Sequence, residues 1–159
     1  MAKKGKRKAA PGDVASNRYA SFRYELLEKL ECGIALTGSE VKSLRGGKVQ
    51  LKDGFAMVHE GELWLHNVHI APYEPASREN HEPERERKLL VHRRQLDHLK
   101  EQTRQKGLTL VPTRVYFKGS NAKVEVALAR GKDVHDKRQV IRAREEKRDM
   151  DRALRDANR

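Results

Sequence analysis

The last 29 residues, Gly131 to Arg159, limit what this chain can fold into more than any other stretch. Ten are Lys or Arg, seven are Asp or Glu, none is aromatic, and the large apolar residues are only Val134, Val140, Ile141, Met150 and Leu154. A segment this poor in apolar surface cannot offset the entropy of ordering itself, so it is expected to be mobile when free. It nevertheless carries a helical pattern. At about 100° per residue, Lys137, Arg138, Arg142, Arg144, Arg148, Arg152, Arg155 and Arg159 fall within an arc of roughly 160°, with Ala143, Met150, Ala153, Leu154 and Ala157 opposite. Such a tail is disordered alone and becomes a basic helix against a polyanion.

Charge points the same way. A formal charge of +12 and a sequence pI near 10.0 favour nucleic acid or an anionic membrane surface as partner. No apolar run approaches the roughly 18 residues of a spanning helix, and the tail lacks the Trp, Phe and Leu face of an interfacial one, so no membrane partner is expected. Met1 to Ala10 holds Lys3, Lys4, Lys6, Arg7 and Lys8 without the apolar region of a secretory signal, which predicts a cytoplasmic protein. The single cysteine, Cys32, excludes an internal disulfide and a Cys-based zinc cluster. Beside Gly33, it reads as a small buried residue.

Three segments follow: a basic arm over residues 1–12, a folded domain over 13–131 and the tail over 132–159. The folded part reads mainly as strands. Leu26 to Leu36 is an apolar-rich run with a bulge or bend predicted at Gly33. Ser39 looks like the cap of a short helix, Glu40 to Arg45, stopped by Gly46-Gly47. Phe55 to Val58 and Leu63 to Val68 form a hairpin with Gly61 in its turn. Pro75 to Arg87 is polar and reads as an exposed loop. Arg94 to Gln105, with Leu96 and Leu99 three apart, reads as a helix ending at Lys106-Gly107. A second hairpin pairs Leu108 to Phe117 with Lys123 to Ala129, where Val124, Val126 and Leu128 alternate with Lys123, Glu125 and Ala127. Five or six antiparallel strands in this length predict a mainly β protein, a small closed or partly open barrel with flanking short helices.

The candidate chemistry is recognition, not catalysis. Lys42, Arg45, Lys48, Lys52, Lys123, Arg130 and Lys132 flank strand ends and turns, where they reach phosphates without burying charge. Tyr24, Phe55, Trp64, Tyr73 and Tyr116 suit either base stacking or barrel packing. His66 and His69 fall on opposite faces of a strand end, which does not make a zinc site. His135 beside Asp136 lacks a nucleophile and a rigid setting, and no phosphate-cradling glycine loop or paired-carboxylate signature occurs. No enzyme activity, metal or cofactor is expected. A general RNA chaperone and an RNA-processing enzyme are the competing readings.

The runs Cys32 to Arg45, Arg87-Lys88-Leu89-Leu90, Lys106 to Pro112 and His135-Asp136-Lys137-Arg138 resemble the SsrA-binding protein family, also called SmpB, over nearly the whole chain. The resemblance implies an oligonucleotide-binding-like antiparallel barrel that binds the tRNA-like domain of transfer-messenger RNA and acts in trans-translation, the rescue of stalled bacterial ribosomes. It implies that the barrel replaces the missing anticodon arm in the decoding site and that the tail becomes helical in the empty message channel. Elongation factor Tu and alanyl-tRNA synthetase are implied as partners through the charged RNA. Glu31, Leu90, His92 and the Gly131 junction are implied at the RNA surface, where Glu31 would accept a hydrogen bond from a base amino group. If Glu31 does not, a nearby cation such as Lys29 or Arg45 is its expected partner. His135 is implied at the decoding position, and Asp136-Lys137-Arg138 as the tail motif needed after binding.

Overall fold

The structure, a computed structural model, describes residues 13–105, 107–132 and 134–158, without the side chains of Ser77, Glu79 and residues 134–136. The basic N-terminal arm, Lys106, Asp133 and Arg159 lie outside the described residues. The chain runs through β1 (Asp13–Ser16), α1 (Arg18–Arg23), β2 (Tyr24–Ile34), α2 (Gly38–Arg45), β3 (Val49–Gln50), β4 (Phe55–His59) and β5 (Glu62–His66). It continues through β6 (His69–Ile70), a 3-10 turn at Glu74–Glu79, β7 (Arg87–Leu90), α3 (Arg93–Thr103), β8 (Leu108–Lys118), β9 (Asn121–Gly131) and α4 (Val134–Ala157).

Strands β8, β4, β5, β7, β2 and β9 pair antiparallel in that order, and β9 returns to β8, closing a ring. The strand β1 adds to the outside of the β8 edge, while β3 and β6 form a separate ribbon. Period-2 alternation decides which side chains enter the ring. Cys32, Leu63, Leu65, Leu89, Leu110, Val115, Val124 and Val126 are buried inside, with Leu96 and Leu99 of α3 and Leu44 of α2 packed against them. Among the described residues no Phe, Tyr or Trp is fully buried, so aliphatic side chains and Cys32 fill the interior. The five aromatics singled out in the sequence are all half-buried on the outside or at the rims.

Both hairpins form as expected. Glu60 and Gly61 link β4 to β5 with φ of 51° and 73°, the left-handed pair that matches strand twist in a two-residue hairpin. Gly119-Ser120 links β8 to β9.

Three local expectations are corrected, and two elements left no sequence signal. The register irregularity of β2 lies between Leu26 and Glu28, not at Gly33. Gly33 instead faces both β9 and β7, opposite Lys123 and Leu90. The cap of α2 is Thr37, not Ser39: the Thr37 amide donates to Glu40 Oε1 at 3.0 Å, while Ser39 is buried and bonds His81 Nδ1 at 2.9 Å. The segment before β7 is not a free loop. His81 is buried between Ser39 and the Ile70 carbonyl, and the fully buried Arg87 bonds Glu40, the Val68 carbonyl (2.8 Å) and the Pro83 carbonyl (3.0 Å). A polar composition reads as exposed in sequence, but here the His81 ring and the Arg87 guanidinium are buried with hydrogen-bond partners. Finally, β1 and α1 are too short to leave a periodic signal; Ala20 of α1 covers Val111, Ala127 and Ala129, closing the outward face at the far end of β8 and β9.

Burial pushes the Glu40 carboxyl up, yet hydrogen bonds from Thr37, Arg85 and Arg87 outweigh it and hold Glu40 below its ordinary range. The buried pair locks α2 to β7.

The helix α4 leaves the barrel beyond Gly131 and carries its apolar residues in the open: Ile141, Met150 and Leu154 are all exposed. The Arg144 guanidinium lies 5.7 Å from the Phe22 ring centroid on α1.

Candidate RNA interface

Because Cys32, Leu89, Val115 and Val124 point inward, their neighbours Glu31 and Gly33, Leu90, Tyr116 and Lys123 point outward on four adjacent strands. The register sets them in two rows. Leu90, Gly33, Lys123 and Tyr116 lie side by side across β7, β2, β9 and β8. In the next row Glu31 stands opposite Glu125, and Glu125 opposite Arg114. Leu90 packs closely on Gly33: a Cβ there would stand 3.2 Å from the Leu90 Cβ, so a larger residue would push Leu90 aside by a few tenths of an ångström. Leu90 is 53% exposed, an apolar side chain in a charged face.

Two carboxylates directly opposed on a sheet repel. Each has its own partners. The Tyr116 hydroxyl donates to Glu31 Oε2, and Lys118 Nζ lies 3.5 Å from Oε1. Glu125 accepts from Thr113 (2.8 Å) and Arg114 Nε (3.0 Å), with Lys29 at 3.8 Å. The Tyr116 hydrogen bond chiefly, with Lys118 after it, holds the Glu31 carboxyl below its usual range despite some desolvation. Burial raises Glu125, but Thr113 and Arg114 bring it below its usual range too. Both are therefore anions at neutral pH. Sequence reasoning offered Lys29 or Arg45 as the cation beside Glu31; Lys29 instead reaches Glu125, and Arg45 lies 4.8 Å from the Phe117 ring centroid. Burial, then the Glu31 charge, push the Cys32 thiol up to about 12, leaving it an inert core residue.

The other candidates divide by position. His92 is exposed at the N-cap of α3, two residues beyond Leu90, its amide bonded to Gln95 Oε1 at 3.2 Å. Arg45 sits at the rim beside Phe117, next to Lys118, whereas Lys42 lies 5.3 Å over the Tyr73 ring. Arg130 and Gly131 stand seven and eight residues along β9 from Lys123, roughly 23 Å or more away along the strand. They face Glu25 and Tyr24, at the α1 end. Lys132 is tied there structurally: its amide donates to the Arg23 carbonyl and its ammonium to the Ser21 carbonyl, both at 2.9 Å. These bonds satisfy carbonyls at the end of α1.

On α4, Lys137, Arg138, Arg142 and Arg144 follow the helical backbone that also carries His135 and Asp136. Arg142 approaches Glu146 at 4.0 Å with both side chains largely in solvent. Sequence reasoning missed Arg114 and Lys118, which join the face only through the register of β8 on β9. Among the described residues no group of three or more His, Cys, Asp or Glu side chains could hold a metal ion, and no helix is long and apolar enough to cross a membrane.

Ring, rim helices and charged outer face are those of a small oligonucleotide-binding-like antiparallel barrel. The family model described as SmpB protein matches residues 14–156, and the chain belongs to that family. It is 54% identical to the SsrA-binding protein of Carboxydothermus hydrogenoformans over 89% of this chain and 95% of that one. It is 52% identical to the SsrA-binding protein of Thermosynechococcus vestitus over 89% of this chain and 93% of that one. A chain in the solved structure described as "tmRNA-SmpB: a journey to the center of the bacterial ribosome" is 49% identical, superposes with a TM-score of 0.67, and covers 80% of this chain and 94% of its own.

Proposed function

We propose that this protein binds the tRNA-like domain of transfer-messenger RNA through the outward face of β7, β2, β9 and β8, and delivers that RNA to stalled ribosomes in trans-translation. The observation that carries the reading is the division of labour along β9. A face with a fixed carboxylate, an exposed Leu90 and Lys123 lies at one end, and an arginine-rich helix follows the other. A carboxylate accepts from a base amino group and so discriminates; exposed cations along a helix bind phosphate whatever the sequence. The relatives named for SsrA binding, and the solved structure described with tmRNA and the ribosome, support the same assignment.

In this reading the folded domain 13–131 recognises the RNA and the tail 132–159 enters the message channel as a helix. His135 lies at the decoding position, and Asp136, Lys137, Arg138, Arg142 and Arg144 engage ribosomal RNA. Lys42, Arg45, His92, Arg130, Gly131 and Lys132 extend the contact with the RNA or support its edge. Elongation factor Tu and alanyl-tRNA synthetase are engaged through the charged RNA, and the protein acts in the cytoplasm by binding, without catalysis.

Affinity of the full chain for the isolated tRNA-like domain, measured across salt, tests the RNA half of this. With on the order of 5 phosphate contacts the logarithmic slope is expected near −3 to −5. Flat affinity would overturn the reading, and equal affinity for unrelated hairpins would favour a general RNA chaperone.

A further inference from the structure

The Tyr116 hydroxyl on β8 reaches across β9 to bond Glu31 on β2, and we propose that Tyr116 is a positioning residue that aims the Glu31 carboxylate at a base amino group. The proposal rests on the RNA-face reading above.

A glutamate on a sheet surface ordinarily samples many rotamers, and ordering it on binding costs affinity. Here the side chain is already held. The Tyr116 hydroxyl occupies Glu31 Oε2, and Lys118 stands 3.5 Å from Oε1. Tyr116 is itself anchored: the Arg114 guanidinium lies 4.4 Å from its ring centroid, and Arg114 bonds Asp13 Oδ1 on β1 and Glu125 Oε2 on β9, each at 3.0 Å. A continuous line of contacts thus runs from β1 through Arg114 and Tyr116 to Glu31.

Charge balance does not account for the hydroxyl. A neutral phenol stabilises the Glu31 anion through its hydrogen bond but brings no counter-charge; the counter-charges are Lys118 and Lys123 for Glu31, and Arg114 and Lys29 for Glu125. Core packing does not account for it either, because the bond lies at the surface with 41% of the Glu31 side chain exposed. Burial first, then the hydrogen bond to Glu31 and the charge of its carboxylate, raise the Tyr116 phenol to about 12, so it remains a donor throughout the range in which RNA is handled. What the bond supplies is direction. With one oxygen engaged, the remaining acceptor sites of Glu31 are presented to solvent in a fixed orientation. That suits a planar amino donor such as the exocyclic amine of a cytosine.

A double-mutant cycle in the full chain tests this. Tyr116→Phe keeps the ring over which Arg114 lies and removes the hydroxyl alone, and thermal melting verifies that each variant folds. The probes are the isolated tRNA-like domain and a scrambled hairpin of equal length, with preference taken as the ratio of the two affinities. Tyr116→Phe is expected to lower preference about 5- to 10-fold, and Glu31→Ala by at least as much. The double variant should be no worse than Glu31→Ala, since Tyr116 acts through Glu31. In the free protein, NMR titration of the Glu31 carboxyl should show its pKa rising toward the ordinary 4.5 in Tyr116→Phe. Additive losses would mean that Tyr116 touches the RNA itself, and an unchanged preference in Tyr116→Phe alone would mean that the hydroxyl does nothing for recognition; either overturns the positioning role. If Glu31→Ala keeps full preference, the base contact falls and the positioning role with it, an outcome distinct from the other two.

Discussion

The wall of the barrel and the helix that follows it use the same residue types in opposite ways. On the wall, Arg114 is held between Asp13 and Glu125 beside the Tyr116 ring, and Glu31 is held by Tyr116 and Lys118. On α4, Arg142 and Arg152 approach Glu146 and Asp149 only at 4.0 Å, with more than two thirds of each side chain in solvent. Charges with several fixed partners define a geometry and so discriminate between ligands. Charges that swing freely add affinity without preference, because exposed pairs contribute little and phosphate accepts cations from many directions. On the proposed reading, recognition rests on strand register, and the tail contributes its charge and its capacity to be a helix.

Breaking the scaffold behind the wall has the largest expected effect. Arg87→Ala leaves the buried Glu40 without one of its two arginine partners, with Arg85 and the Thr37 amide remaining, and is expected to cost up to about 3–5 kcal/mol, read by denaturant unfolding. An unchanged midpoint would show that the pair does not hold α2 to β7. Acid provides the same test without mutation. The Glu40 pKa is depressed in the folded protein, so its contribution is complete above the unfolded value. It is lost as pH falls through the lower folded value. Stability should therefore decline at pH below the ordinary glutamate range of about 4.5, with tail fluorescence probes unaffected.

Helix breaking separates the two regions next. Ala143→Pro is expected to cost the tail helix about 3 kcal/mol and to abolish peptide tagging on a truncated message in a reconstituted system, while affinity for the tRNA-like domain stays within a factor of about two. Removing residues 132–159 should behave alike, although losing the Lys132 bonds to Ser21 and Arg23 will loosen α1. Normal tagging by the proline variant would show that the tail need not be helical there.

A charge reversal on the wall sharpens the contrast at the level of specificity. Glu31→Arg raises the net charge by two and should tighten binding to scrambled RNA, yet lose roughly tenfold in preference for the tRNA-like domain. Should preference survive, Glu31 serves only to balance Lys118. The smallest effect is expected for Ala143→Gly, about 1 kcal/mol in the tail helix, with tagging slowed and not abolished.

Much of the barrel was legible because alternation and turn chemistry are local. Val124, Val126 and Leu128 announced an inward face, and Gly61 announced a hairpin, before any partner strand was known. Thr37 was passed over for Ser39 because both are good caps in sequence, and only burial against His81 separates them. The polar run before Arg87 misled for a related reason. Composition reports what a residue is, whereas His81 and Arg87 are inside because partners mostly distant in sequence, Ser39, Ile70, Glu40 and Val68, with Pro83 nearby, meet their side-chain nitrogens.

The amino-acid sequence by itself determined the sorting of this protein into a folded middle and a charged end, since hydrophobic content and period are properties of single segments. It also determined the helical arc of arginines, which follows from spacing alone. Only the tertiary structure decided that Tyr116 and Lys118 pair with Glu31, while Lys29 pairs with Glu125 and Arg45 lies over Phe117. The Glu31 to Tyr116 contact joins residues 85 apart through two ladders, and a slip of one residue in either would turn one of them to the opposite face. No local signal encodes such a pairing; it is the closure of the whole ring that sets it.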